Sequence, residues 1–69
     1  MDIKIILNGE EKTIKEGKYI SHLLEDYKLS PAMVAVELNG KIVKRENFGQ
    51  TLLQNGDKIE IVKMMGGGY

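Results

Sequence analysis

Three asparagine-glycine pairs, Asn8-Gly9, Asn39-Gly40 and Asn55-Gly56, punctuate this chain of 69 residues. The first two follow apolar residues spaced by two, Ile3-Ile5-Leu7 and Val34-Val36-Leu38. An alternating run that ends in Asn-Gly signals a β-hairpin, because a type I′ turn needs positive φ at both central residues. The first return strand is expected from Glu11 to Lys15, ended by Glu16-Gly17, and the second from Lys41 to Lys44. Asn55-Gly56-Asp57 marks a further turn, after which Ile59 and Ile61 define a last strand from Lys58 to Met64.

Between the hairpins the period changes. Ile20, Leu23, Leu24 and Tyr27 fall at i, i+3, i+4 and i+7, one apolar stripe on a helix of roughly ten residues. Pro31 is expected to stop it, since proline disfavours the helical region for the residue before it. Arg45 to Leu53 is less regular, with Phe48, Leu52 and Leu53 suited to packing beneath a loop or a helical turn. The order is β-β-α-β-β-β. That order suits an α+β layer: a mixed sheet of four to five strands with one helix packed across one face. Ile3, Ile5, Leu7, Ile14, Ile20, Leu23, Leu24, Val34, Val36, Leu38, Ile59 and Ile61 form the expected core. Residues 1–65 make the expected domain, and 66–69 a flexible glycine-rich tail.

Composition narrows the chemistry. The length supports one domain, which buries only roughly 60% of the surface that its unfolded chain exposes. With no cysteine, a disulfide, a thiolate zinc site, an iron–sulfur cluster and a thiol nucleophile are all excluded. Ten basic and ten acidic side chains give zero formal net charge, which argues against a nucleic-acid partner. Ile5-Ile6-Leu7 is far too short to cross a bilayer, and Met1-Asp2-Ile3-Lys4 lacks the features of a signal peptide. A cytoplasmic protein without a membrane partner is expected.

Catalytic groups are scarce. The single histidine, His22, lies on the outer face of the expected helix, and Ser21 beside it points elsewhere. Glu10-Glu11 and Glu25-Asp26 are adjacent in sequence and so diverge in space, as solvated surface residues do. No catalytic residue, no metal site and no bound cofactor are expected. What remains is Gly66-Gly67-Gly68 followed by Tyr69. One reading is a frayed chain end or a cloning remnant. The other is a thin arm without side chains, able to thread a channel that would reject a Cβ. Fully extended, Met64 to Tyr69 reaches on the order of 20 Å, enough to deliver a carboxylate into another protein's active site.

Taken together, the Asn-Gly hairpin, the Leu23-Leu24 helix, Val34-Ala35-Val36-Glu37-Leu38-Asn39-Gly40, Ile42-Val43-Lys44-Arg45-Glu46, Asn55-Gly56-Asp57-Lys58-Ile59-Glu60-Ile61-Val62 and the glycine run resemble the ThiS family, the sulfur carriers of thiamine biosynthesis. The resemblance covers essentially the whole chain. It implies the ubiquitin-like β-grasp fold. It also implies a carrier, not an enzyme. An E1-like adenylating enzyme would use ATP to activate the terminal glycine carboxylate, and a sulfur nucleophile would displace AMP to leave a thiocarboxylate. Thiazole synthase would receive the sulfur. The MoaD family of molybdopterin-synthase small subunits shares the fold and the diglycine. Delivery to molybdopterin or another sulfur pathway, and a ubiquitin-like modifier or interaction module, are the alternative expectations.

Two positions depart from the family pattern. Lys44 stands where the family usually has proline, and Tyr69 follows the glycine that would be the working end. The resemblance therefore implies that a protease removes Tyr69 to expose Gly68, with Gly66 and Gly67 in the arm. A cloning remnant and a carrier that has lost its activity are the other readings. In a β-grasp sheet the first and last strands are neighbours. Strand parity then turns Ile6, Val62 and Met64 to the open face, where they are expected to cluster, either as scattered apolar surface or as a docking patch.

Overall fold

The computed structural model describes residues 1–64; Met65, Gly66, Gly67, Gly68 and Tyr69, and with them the expected tail, lie outside the described residues. Both hairpin turns adopt the geometry that their residues favour: φ is 50° and 85° at Asn8 and Gly9, and 53° and 86° at Asn39 and Gly40. The first turn joins β1 (Asp2–Leu7) to β2 (Glu10–Lys15), and the second joins β3 (Val34–Leu38) to β4 (Lys41–Val43). The last strand, β5 (Lys58–Lys63), lies between the hairpins in a five-stranded sheet of order β2-β1-β5-β3-β4. It runs parallel to β1 and antiparallel to β3, so the sheet is mixed. This is the β-grasp arrangement, with the first and last strands adjacent.

The one α-helix among the described residues, α1 (Ile20–Asp26), buries Ile20, Leu23 and Leu24 against one face of the sheet. Its start carries no Ser, Thr, Asp or Asn cap. The Ile20 N–H instead donates to the Thr51 carbonyl at 3.1 Å, and the Ser21 N–H to the Phe48 carbonyl at 3.0 Å. These loop carbonyls satisfy donors that a helix leaves unpaired at its first turn. The Tyr19 N–H is closed locally by Nδ1 of His22 at 3.0 Å.

The helix is seven residues long, shorter than the sequence pattern implies, and Pro31 does not end it. Lys28 adopts φ 58°, the Leu29 N–H donates to the Leu24 carbonyl at 2.8 Å, and the Lys28 N–H donates to the Glu25 carbonyl at 3.0 Å. This pair of bonds is a Schellman closure, built here without glycine. Tyr27 caps the end and is 45% exposed, so the fourth member of the apolar stripe leaves the core. Pro31 opens a separate 3-10 turn over Pro31–Met33.

The segment after β4 is more ordered than its sequence suggests. A 3-10 turn over Arg45–Asn47 leads to Phe48, and both Phe48 and Leu53 are buried in the core beside Ile5, Ile20 and Ile59. Leu52 stays exposed, pairing through its backbone with Tyr19. Ile3, Ile14, Leu38 and Ile61 pack against the core while remaining partly exposed.

The asparagines do more than turn the chain. Asn8 accepts from the Ile61 N–H at 2.8 Å and donates to the Ile61 carbonyl at 3.2 Å, so its side chain continues the β1–β5 ladder past the end of β1. Asn39 accepts from the Lys58 N–H at 2.9 Å and donates to Asp57 at 3.0 Å. Asn55 accepts from the Lys4 N–H at 2.9 Å. Each pair thus ties a neighbouring segment to β5 or to the loop that leads into it. Asn8→Gly keeps the positive φ and removes both side-chain bonds, so it should cost about 1–3 kcal/mol. Thermal unfolding should then shift down by about 5–15 °C in a domain of this size. An unchanged midpoint would assign Asn8 to the turn alone.

Candidate functional site

The chain leaves the fold at a fixed point. Val34 pairs with Lys63 across β3 and β5, and the Met64 N–H donates to the Met33 carbonyl at 2.8 Å. The central strand is therefore held to its end, and residues 65–69 begin directly beyond that anchor. Gly66, Gly67, Gly68 and Tyr69 lie outside the described residues, so the geometry bears on where the arm starts and on the surface beside it.

Strand parity exposes the three expected surface residues: Ile6 is 39%, Val62 62% and Met64 51% accessible. Register, however, separates them. Ile6 pairs with Lys58, whereas Val62 pairs with Ala35 on the other neighbour of β5. Four residues along a strand span about 13 Å at ~3.3 Å per residue. Ile6 is thus not part of one patch with Val62 and Met64, and the expected cluster of three is corrected to a pair with different company. That company is Ala35 across the strand and Ile42 on β4, which is 76% exposed opposite Glu37.

This apolar strip borders a groove of about 600 Å³ where β4 stops short of β3. Pro31, Ala35, Ile42, Phe48 and Met64 line it together with Lys44 and Arg45. The sequence reading omitted Ile42 from the surface residues. Its place opposite Glu37 in the second hairpin was the available signal. The groove had none, since it forms where β4 ends early.

The remaining polar groups do not converge. His22 is exposed and occupied as a helix cap. Glu10 pairs with Lys12 at 3.4 Å, Asp26 pairs with Lys18, and all four lie at the surface or near it. Glu10 and Glu11 face opposite sides of the sheet, opposite Leu7 and Ile6. Among the described residues no group of three His, Cys, Asp or Glu side chains is placed to hold a metal ion. No helix of the described residues is long and apolar enough to cross a membrane.

The ThiS family model matches residues 5–68. The chain is 40% identical over 63 residues to the sulfur carrier protein ThiS of Bacillus subtilis, covering 90% of this chain and 96% of that one. It is also 41% identical over 66 residues to the thiazole synthase of Magnetococcus marinus, covering 96% of this chain but only 20% of that protein. The chain therefore spans about a fifth of such a relative's length. Among solved structures, the thiamine biosynthesis protein ThiS of Geobacter metallireducens superposes with a TM-score of 0.81 at 36% identity, covering 96% of this chain and all of that one. Lys44 has φ −70° and ψ 146°, a backbone that proline also adopts, so lysine here follows the path that a proline would take.

Proposed function

Because the chain belongs to the ThiS family, we propose that it serves as a sulfur carrier whose working end is Gly68. It is a carrier of thiamine biosynthesis and not itself a catalyst. The observation that carries the reading is the extent of the family match, which runs through the last glycine and stops before Tyr69.

The chemistry follows from the weakness of a carboxylate as an electrophile. A carboxylate oxygen of Gly68 attacks the α-phosphorus of ATP on an E1-like adenylating enzyme, and pyrophosphate leaves. Sulfide-level sulfur, as hydrosulfide, then attacks the acyl carbon and AMP departs, giving the thiocarboxylate. With Tyr69 in place the Gly68 carbonyl is an amide and offers no such oxygen, so a protease must first cut the Gly68–Tyr69 bond. Thiazole synthase is the proposed acceptor. Two relatives named thiazole synthase hold a sequence similar to this chain in about a fifth of their length, which supports that pairing. The chain binds no cofactor of its own on this reading, and ATP belongs to the partner.

Val62 and Met64, beside the root of the arm, are the proposed docking residues for the adenylating enzyme, and Ile6 is a separate contact. ATP–pyrophosphate exchange by the adenylating enzyme of the same genome tests the scheme. A chain ending at Gly68 should support exchange, and the chain retaining Tyr69 should not. Val62→Asp in the shorter chain should raise its KM by about 10-fold or more with the unfolding midpoint unchanged. Equal exchange by both chain lengths would overturn the assignment of Gly68.

A further inference from the structure

Each of the three Asn-Gly pairs holds the parts of one reaction: a side-chain amide, followed by a glycine whose nitrogen no Cβ shields. Once that nitrogen has given its proton to solvent base, it attacks Cγ of the asparagine and closes a cyclic imide. Attack requires the side chain to swing back over its own turn, so any bond that holds the amide elsewhere must break first. The three pairs differ in how the fold holds the reacting groups.

At Asn55-Gly56 both groups are held by one residue of β1. The Gly56 N–H donates to the Lys4 carbonyl at 2.7 Å, and Oδ1 of Asn55 accepts from the Lys4 N–H at 2.9 Å. At Asn39-Gly40 the nitrogen is free, since the Gly40 N–H has no acceptor among the described residues. The Asn39 amide, however, accepts from the Lys58 N–H at 2.9 Å and donates to the Asp57 carboxylate at 3.0 Å. Hydrogen bonds to a carboxylate are the stronger kind. At Asn8-Gly9 the nitrogen is free in the same way, and Nδ2 of Asn8 donates only to the neutral Ile61 carbonyl, at 3.2 Å. Asn8 and Gly9 are both exposed, and nothing lies within 4 Å of the point where a Cβ of residue 9 would stand, so water and base reach the turn.

We propose that Asn8-Gly9 is a modification site, where the chain's own backbone converts asparagine to aspartate or isoaspartate. The Gly9 N–H gives its proton to hydroxide, and its nitrogen bonds to Cγ of Asn8. The Cγ–Nδ2 bond breaks, and Nδ2 leaves as ammonia with a proton from water. Water then opens the imide at either carbonyl, leaving aspartate or, with the main chain rerouted through the side chain, isoaspartate. The net change is one water in and one ammonia out, with no oxidation or reduction.

The product falls on the shortest ladder of the sheet. β1 and β5 pair only through Ile6–Lys58 and Leu7–Ile59, and the Asn8 side chain carries the pairing on to Ile61. An aspartate oxygen in place of Nδ2 sets acceptor against acceptor at the Ile61 carbonyl. Isoaspartate adds a methylene to the backbone of a two-residue turn. Conversion therefore loosens the central strand ahead of Met64, whether or not the chain carries sulfur.

The test is incubation of the full chain in mildly alkaline buffer, folded and in urea, followed by mass spectrometry of tryptic peptides. Cuts at Lys12, Lys41 and Lys58 place each pair on its own peptide, and conversion exchanges NH for O in its mass. In the folded chain Asn8 should convert ahead of Asn39, and about 10-fold or more faster than Asn55. In urea, where no hold remains, the three rates should agree within about 3-fold. Asn8→Asp should lower the unfolding midpoint by about 5 °C or more. Equal rates in the folded chain, Asn55 leading, or an Asn8 that converts only in urea would each overturn the proposal. An Asn8→Asp chain as stable as the wild type would overturn the consequence drawn for β1 and β5.

Discussion

Gly67→Leu should slow thiocarboxylate formation by about 100-fold or more while leaving the unfolding midpoint where it was. The two halves of this result have separate origins. Position 67 follows Lys63, where β5 ends, and Met64 in sequence, and the sheet and core of the described residues are built without it. On the proposed reading, in contrast, the Gly68 carboxylate enters a partner's site on a stem of glycines. A branched side chain one residue from the acyl carbon displaces that carbon, and displacements near 1 Å cost about 100-fold in rate. Mass spectrometry of the reaction products gives the rate, and circular dichroism gives the midpoint. A variant that reacts at the wild-type rate would show that the glycines are not selected for their thinness.

The second large effect concerns the central strand. Ile59 is fully buried, opposite Leu7 of β1 and Leu38 of β3, so it holds both hairpins to one core. Ile59→Ala should cost about 2–5 kcal/mol, from lost burial and from the cavity left behind. A domain of this size has total stability on the order of 3–10 kcal/mol, so the substitution removes much of it. The unfolding midpoint should fall by about 15 °C or more. Val62→Ala, on the same strand but the open face, should move the midpoint by at most a few degrees. Similar shifts for the two variants would contradict the assignment of faces along β5.

Local chemistry made the hairpins legible. Asn8-Gly9 and Asn39-Gly40 take the positive φ values that few other residue pairs accept, and alternation then sorts Ile5, Leu7, Val34 and Val36 inward. The helix was legible as a stripe but not in its limits. Its start is satisfied by the carbonyls of Phe48 and Thr51, more than 25 residues away along the chain, which no N-terminal capping signal announces. Its end uses Lys28 in a left-handed conformation, a site where glycine would have been the readable choice. Phe48 and Leu53 entered the core for the same nonlocal reason: the loop that carries them is pinned by the helix it caps.

The surface beside the arm was half legible. Parity exposed Ile6, Val62 and Met64 correctly, because it depends only on which residues of a strand face the helix. Their spacing depended on the parallel register of β1 against β5. That register is set by the Ile6 N–H on the Asp57 carbonyl and the Asn8 N–H on the Ile59 carbonyl and is extended by the Asn8 side chain on Ile61, and none of these bonds has a signature in a pattern of hydrophobic residues. The different holds on Asn8, Asn39 and Asn55 were hidden in the same way, since each has its partners far along the chain.

The central claim is that Gly68 carries sulfur as a thiocarboxylate. Intact-mass measurement of the chain ending at Gly68, after incubation with the adenylating enzyme, ATP and a sulfur donor, tests it most directly. The mass should rise by the difference between sulfur and oxygen and return to its starting value when thiazole synthase and its substrates are added. An unchanged mass, or a product in which Gly68 is joined to a lysine of another protein, would contradict it.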